Sequence, residues 1–375
     1  MRQTVGLELT KPLDHVQQQD EAIGLLVEEF DKLVADNRFS WFSNVRFIKQ
    51  LGCGGQGSVF LAERCGADGF QVPVAVKFYS PDRYSCLEEY DNDMVRVAEV
   101  ATKVSQIRHH NLLGINHFLN RDRVRVMVME WVQGFDLRRL LTARYYGVVK
   151  ERVSRKMWDV YNNQLVTAGP VQPRLRAEVT LSILKDLVNS LVALHDEGII
   201  HSDIKPSNIM LTRNGSSKLI DIGSSVRQGE KSWRHGCTPA YAAVDVLEGA
   251  APSVESDLVS LGYLALELLT GKPLFPEIED LDSLIEAKRK MELEFVDQLP
   301  DDLDDGQGVT DVLACLLRAQ RFVAPAGVST SELIQEMLTE VSQDNSSSMI
   351  KVWIEELWEL EESSLLAAEN PTGSP

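Results

Sequence analysis

The chain has no apolar run long enough to cross a bilayer. Its longest smooth one, Leu258 to Leu266, falls far short of the roughly 20 residues a spanning helix needs. It lacks an apolar signal core at its start, MRQTVGLELTKPLDH, so no secretion signal is visible. It has no C-x-x-C, and its five cysteines (Cys53, Cys65, Cys86, Cys237 and Cys315) are scattered and odd in number. That pattern argues against a disulfide framework or a structural zinc, and for a reducing, cytoplasmic compartment. It lacks an excess of positive charge. Lys plus Arg total 38 against 56 Asp plus Glu, a net charge of −18, which disfavours bulk affinity for nucleic acid. It also lacks internal repeats and long low-complexity tracts. What remains is ordinary globular composition, 44% apolar and 25% charged over 375 residues, with material for a sizeable core and two or three domains.

Periodicity changes along the chain. Ile23, Leu26, Val27, Phe30, Leu33 and Val34 recur at helical spacing with acids between them. From Phe42 the segments VRFIKQL, SVFLAE and PVAVKFY are β-branched or aromatic-rich and separated by glycines or a proline, which predicts short strands. A helix is expected roughly from Leu87 to Ile107, and RVRVMVME alternates from Arg123 to Met127 as another strand would. After Glu130 the pattern is mostly helical. One broad apolar stripe runs from Leu181 to Leu194, and another from Leu258 to Leu268 ends at Gly271 and Pro273. Strands first and helices afterwards indicate an α+β chain of two unequal lobes. The expected divisions are a helical extension over 1–40, a strand-rich lobe over 41–129, a mainly helical lobe over 130–340, and an acidic helix and tail over 341–375. Three segments stand apart by charge. Residues 141–176 carry seven Lys/Arg against two acids, residues 277–305 twelve acids against three bases, and the last 25 residues six acids against one base. The tail also holds Trp353, Ile354, Leu357 and Trp358 at helical spacing.

The first chemical signal is Leu51-Gly52-Cys53-Gly54-Gly55-Gln56-Gly57-Ser58-Val59, a G-x-G-x-x-G string. Glycines let the backbone approach phosphate oxygens closely. Dinucleotide-binding folds use the same string, but there it opens into a helix. Here it leads into strand-like Ser58 to Leu61, so it joins two strands of a hairpin. Val74-Ala75-Val76-Lys77 then places a lysine at the end of an apolar strand. A core-facing lysine needs an anionic partner, and a phosphate or a carboxylate would serve. The richest segment is His201-Ser202-Asp203-Ile204-Lys205-Pro206-Ser207-Asn208-Ile209-Met210. Asp203 could accept a proton from an attacking hydroxyl, Lys205 could neutralise a transferring phosphoryl group, and Asn208 could bind a divalent cation, which favours oxygen ligands. Asp221 ends the strand-like Lys218-Leu219-Ile220 just before Ile222-Gly223 and, with Asn208, makes a reasonable magnesium site.

In this order the glycine-rich loop, V-A-V-K, H-x-D-x-K-x-x-N and D-x-G resemble a eukaryotic-like Ser/Thr protein kinase of the bacterial type, over roughly Phe42 to Leu338. The resemblance implies a bilobal fold with a small β-rich N-lobe and a larger helical C-lobe, and ATP- and Mg²⁺-dependent phosphorylation of protein Ser/Thr hydroxyls. It implies that Gly52 to Val59 cover the ATP phosphates, with Leu51 also at the ATP site, that Lys77 holds the α- and β-phosphates, that Asp203 is the catalytic base and that Lys205 contacts the γ-phosphate. Asn208 and Asp221 would bind magnesium. Glu130, Trp131 and Val132 would offer hinge backbone to the adenine edge, with Met129 as gatekeeper. Asp136 would contact the ribose, and Val59, Ala75 and Met210 would sandwich the adenine. Thr238, Pro239 and Tyr241 resemble the substrate-facing end of an activation segment, and Asp257 fits the aspartate that opens the central C-lobe helix. A lysine at position 205 is the Ser/Thr type.

Four departures accompany the likeness. Ser202 replaces the arginine that normally pairs with a phosphate on the activation segment, so activity without such phosphorylation is expected. Ile222 replaces a phenylalanine and can still pack. Asp245 shortens the usual glutamate of A-P-E, and Ala324-Pro325 stands where its basic partner is expected. The ion-pair partner expected for Lys77 is Glu99, although an ungapped count puts Val100 at the family's position, one residue or about 100° around a helix away. Glu88 and Glu89 are fallbacks. The departures at Ser202, Asp245 and Glu99 motivate a second reading, a pseudokinase scaffold that binds nucleotide or partners without turnover, and a third is a small-molecule phosphotransferase of related fold. The intact Thr238-Pro239-x-Tyr241 favours a protein substrate over a metabolite. The basic stretch 141–176 is expected either to decorate the surface or to dock an acidic partner, the chain's own tail included.

Overall fold

The computed structural model describes residues 21–35, 45–230, 237–276, 278, 280–303, 306–321, 329–341 and 346–369. A five-stranded antiparallel sheet, ordered β1-β2-β3-β5-β4, forms the first lobe. Its strands are β1 (Val45–Gly54), β2 (Gly57–Cys65), β3 (Gln71–Tyr79), β4 (Ile115–Arg121) and β5 (Val124–Glu130). β3 sits at the centre, and from Val74 to Tyr79 every residue is buried, as its β-branched run requires of a strand covered on both faces. Phe47, Phe60 and Phe78 pack edge to face at 5.6 Å and 5.8 Å beneath the β1–β2 hairpin. The helix expected near the start is α1 (Glu21–Ala35), whose Ile23, Leu26, Phe30 and Leu33 are buried, and it lies near β5. α2 (Leu87–Val104) crosses the same lobe and buries Val97, Val100, Ala101 and Val104.

The second lobe is built on helices. After β6 (Gly134–Asp136) come α3 (Leu137–Leu140), α4 (Ala143–Arg152), α5 (Arg155–Gln164) and the two-stranded pair β7 (Val166–Thr167) and β8 (Arg174–Leu175). α6 (Ala177–Asp196) buries the stripe Leu181, Leu184, Leu187, Val188, Leu191 and Leu194. Four short strands follow: β9 (Ile199–Ile200), β10 (Ile209–Thr212), β11 (Ser217–Leu219) and β12 (Val226–Arg227). β10 lies between β11 and β6, and β12 pairs with β9. α7 (Val244–Leu247) precedes α8 (Val254–Thr270), which is buried from Ser256 to Thr270. A helix so enclosed is apolar round most of its surface, and its buried polar residues have partners, among them Asp257 on the backbone of His201 and Ser202 and Glu267 on Tyr241. Its start is fixed by a reciprocal capping box between Ser253 and Ser256, and its end by Gly271 at φ +64°. α9 (Leu281–Glu294), α10 (Gly306–Leu317), α11 (Thr330–Val341) and α12 (Ser346–Glu369) complete the lobe. No described helix is long and apolar enough to cross a membrane.

Candidate active site

The cleft between the lobes is framed by the β1–β2 hairpin above and the β6–β10–β11 sheet below. The glycine string forms the hairpin as its sequence suggests, with Gly54 paired to Gly57 and Cys53 to Ser58. Leu51 and Cys53 are exposed along β1, while Ser58 is buried. Gly57, at φ +138°, has no alternative, because a Cβ there would lie 1.8 Å from the Phe78 carbonyl oxygen. Strand register then aligns the next residues. Val59 lies opposite Lys77, Leu61 opposite Ala75, and Ala75 opposite Met129. On the lower side Met210 lies opposite Asp136.

At the hinge, the Glu130 N–H donates to the Gly114 carbonyl, while its carboxylate accepts from the Gly114 N–H and from Lys218, each at 2.7 Å. The hinge is thus tied to the lower sheet by its own side chain. Val132 is buried, and its N–H meets no acceptor among the described residues. Asp136 caps α3, accepting the Arg139 N–H at 2.9 Å, and burial pushes its carboxyl pKa up.

Lys77 is buried and holds three acceptors: both oxygens of Asp221, at 2.6 Å and 2.8 Å, and the Gln56 Oε1 at 2.8 Å. Burial pushes its pKa down, against the pull of the Asp221 charge. Burial works against ionisation of Asp221 too, but the Lys77 ammonium and the Gly223 N–H outweigh it and bring the carboxyl down to about 2. The Gln56 side chain was expected only to cover phosphate. It reaches down from the hairpin tip instead, its carbonyl on Lys77 and its Nε2 on Ser224 Oγ at 2.8 Å. The Gly223 position leaves room for it, since a Cβ there would lie 2.4 Å from Gln56 Oε1.

A second cluster gathers round Asp203, which is 5% exposed. Its Oδ1 accepts from the Thr238 hydroxyl at 2.8 Å and the Thr238 N–H at 3.1 Å. Its Oδ2 accepts from Asn208 Nδ2 at 3.1 Å and faces Lys205 Nζ at 3.0 Å. Lys205 also donates to the Thr238 hydroxyl. The loop under these residues is anchored from α8, where Asp257 accepts the backbone N–H groups of His201 and Ser202, both at 2.8 Å. The two clusters adjoin. The Ile220 N–H donates to the Asn208 carbonyl, and the Lys205 charge is felt at both Asp221 and Lys77.

Asn208 turns its amide nitrogen to Asp203, donating also to the Asp203 carbonyl, so its Oδ1 is left without a donor among the described residues. One amide oxygen and the Asp221 carboxylate are a hard donor pair. They suit magnesium, which keeps waters and substrate phosphates in its remaining positions.

Glu99 does not reach Lys77. α2 runs unbroken to Val104, so no inserted residue turns the helix, and Val100 occupies the inward position, fully buried. Glu99 points instead to the surface and pairs with Arg227 at 3.0 Å. The fallbacks fail as well, for Glu89 binds the N–H and hydroxyl of Ser85, and Glu88 makes no contact with Lys77. Asp245 finds an uncharged partner, the Gln320 amide, in place of a base, and Ala324-Pro325 lies outside the described residues. Tyr241 bonds Glu267 on α8, and Ile222 is buried.

A family model for the protein kinase domain matches residues 45–352. The chain belongs to the protein kinase family. Among curated kinases, it is similar to the serine/threonine-protein kinase PrkC of Bacillus subtilis, at 26% identity over 60% of this chain and 30% of the relative. It is similar also to the serine/threonine-protein kinase pkn2 of Myxococcus xanthus, at 29% identity over 64% of this chain and 25% of the relative. A third relative is the probable serine/threonine-protein kinase PknB of Lactococcus lactis, at 24% identity over 60% of this chain and 31% of the relative. The matches thus span between a quarter and a third of these relatives' lengths. The bilobal architecture of sheet and helices is that of the kinase family.

Sequence reasoning missed three contacts at this kinase site: the descent of Gln56, the amide of Gln320, and Arg96, which projects from α2 to the carbonyls of Gly223 and Ser225. Arg96 carries a signal that was available, since it lies one helical turn before Val100 on the same face.

Proposed function

We propose that this protein transfers the γ-phosphoryl group of ATP to Ser or Thr hydroxyls of protein substrates, with magnesium. The observation that carries the reading is the environment of Asp203. Its four acceptor positions are filled by Thr238, Asn208 and Lys205, and the last of these is a cation suited to a γ-phosphate. When a γ-phosphate draws Lys205 away, one lone pair of Oδ2 becomes free for the substrate hydroxyl. Asp203 then orients that hydroxyl and takes its proton as the oxygen bonds to phosphorus and ADP departs. Lys77 makes the parallel exchange, giving up Gln56 for phosphate oxygens. Bound between Asn208 and Asp221, magnesium would neutralise charge on the phosphates. Leu51 to Val59, Ala75, Met129, Glu130, Val132, Asp136 and Met210 would hold the nucleotide, with the free Val132 N–H facing the adenine edge. The chain's five cysteines are all free, which supports a reducing, cytoplasmic setting.

Transfer of labelled phosphate from ATP to a generic Ser/Thr protein, and to the chain itself, tests the reading. Asp203→Asn is expected to lower kcat by about 10²–10⁴, the usual range for a positioned acid–base group. Nucleotide binding by the unaltered protein with no transfer at any magnesium concentration would instead favour the pseudokinase reading, which the missing contact between Glu99 and Lys77 motivates.

A further inference from the structure

No carboxylate of α2 meets Lys77, yet α2 is fastened to the segment that bears Asp221. The fastening is Arg96. Its Nη2 donates to the Gly223 carbonyl at 2.8 Å and its Nη1 to the Ser225 carbonyl, while Nε donates to Asp93 Oδ1 at 2.7 Å. Asp93 is itself held. Arg83 donates to its Oδ2 at 3.0 Å and the Tyr84 hydroxyl at 2.6 Å, and the residue is 8% exposed. The guanidinium is therefore aimed before it reaches the second lobe, with one edge on a fixed carboxylate and the other on two carbonyls of a single turn. A planar fork of donors suits that task, and a point charge does not.

The turn that Arg96 grips is the one that orients Asp221. The Gly223 N–H donates to Asp221 Oδ1 at 3.0 Å, and Ser224 accepts from Gln56. Asp221 sits at φ +62°, a left-handed conformation that non-glycine residues hold only when their surroundings impose it. Ser202, at φ +68°, is imposed from below by Asp257. For Asp221, the matching restraint from above comes through Arg96 on α2. Protein kinases depend on the placement of this helix relative to the metal-binding aspartate. In this chain the side chain that links the two is a cation on carbonyls.

We propose that Arg96 is a positioning residue for phosphoryl transfer, setting the Gly223–Ser225 turn so that Asp221 can take up magnesium with the nucleotide. The inference rests on the kinase reading above and extends it to how the metal site is held.

The experiment compares the unaltered protein with Arg96→Gln and Arg96→Lys. It measures binding of a non-hydrolysable ATP analogue across a magnesium titration, together with turnover and thermal melting. Arg96→Lys keeps the charge and cannot span both carbonyls, so it serves if Arg96→Gln does not fold. The magnesium concentration giving half-maximal binding is expected to rise about 10–100-fold, the usual consequence of losing a group that supports a metal ligand. Metal-free binding of the analogue is expected to hold. A folded variant with unchanged magnesium half-saturation overturns the proposal. So does an equal loss of binding with and without magnesium, which marks Arg96 as a support of the fold alone. If the unaltered protein turns over and the variants match it, only this inference falls. If the unaltered protein shows no magnesium-linked binding, the kinase reading falls and takes the inference with it.

Discussion

Gln56 and Ser202 show how much a single residue decides in this cleft. The Gln56 carboxamide oxygen accepts one of the hydrogen bonds that Lys77 donates, and its backbone carbonyl is pinned by the Ser80 N–H. On the proposed reading phosphate displaces that side chain, so nucleotide affinity would carry the loss of a hydrogen bond to a charged group, about 1.5–3 kcal/mol. Gln56→Ala is accordingly expected to lower the KM for ATP by about tenfold, the share equivalent to ~1.4 kcal/mol at the low end of that range. A KM that rises instead would show that Gln56 grips the nucleotide. Ser202 bears on regulation. Its hydroxyl lies 3.5 Å from the Ile200 carbonyl, and no guanidinium stands at this position to receive a phosphate from the activation segment. The segment beginning at Thr238 is held by Thr238 on Asp203 and Lys205 without one. Phosphatase treatment is expected to leave turnover unchanged, and loss of activity after treatment would show that a phosphate is needed after all.

At the scale of elements, α9 supports the turn from Thr238 to Tyr241 by an unusual means. Lys288 is fully buried, donates to the Ala240 carbonyl at 2.6 Å, and lies 3.9 Å and 4.8 Å from the ring centroids of Tyr263 and Phe275. Burial drives its pKa well below that of an ordinary lysine, with Cys237 and Glu292 opposing. Between the lowered folded value and the unfolded value near ~10.4, the unfolded chain binds more protons, so stability climbs with pH and levels off above it. The melting temperature of the unaltered protein is therefore expected to gain on that of Lys288→Met between about pH 7 and pH 10. A gap that stays constant with pH would place Lys288 at its ordinary pKa. Elements of this kind were legible in the sequence where periodicity writes them. The β1–β2 hairpin, the buried run of β3 and the apolar stripe of α8 with its stop at Gly271 follow from spacing, turn chemistry and composition. What was not legible is which long side chain crosses from one element to another. Glu99 and Arg96 lie on one helix less than a turn apart, and helical phase alone sends one to the surface and the other to Gly223 and Ser225. Gln56 and Gln320 make contacts over 168 and 75 residues of sequence, a separation at which no local pattern records the partner.

Across the whole molecule, the basic stretch meets the acidic one and lies next to the tail helix. Arg174 and Arg176, from the basic stretch 141–176, pair with Asp302 in the acidic stretch 277–305. Glu361 of α12 meets Tyr145 at 2.6 Å and also Arg139. The acidic tail thus rests beside the basic stretch, through Tyr145 within it and Arg139 just before it, but the magnitudes assign the attachment to apolar packing. The Arg139–Glu361 pair leaves its side chains 47% and 34% exposed, where an ion pair contributes about 0–1 kcal/mol. On the same helix Ile350, Trp353, Ile354 and Leu357 are each 2% exposed or less, and truncating one buried tryptophan costs about 3–5 kcal/mol. Trp358 extends this face to the hinge, 5.8 Å from the Trp131 ring and 6.0 Å from that of Phe135, with Arg213 over it. Raising salt from about 0.1 M to about 1 M shortens the screening length from ~10 Å to ~3 Å, which removes most of what the surface pair contributes and strengthens apolar burial. The backbone amides of α12 are therefore expected to stay protected from hydrogen exchange in high salt and in Glu361→Gln, and to exchange freely in Trp353→Ala. If salt or Glu361→Gln released the helix while Trp353→Ala left it in place, the tail would be an electrostatic latch on the hinge and not a packed part of the lobe.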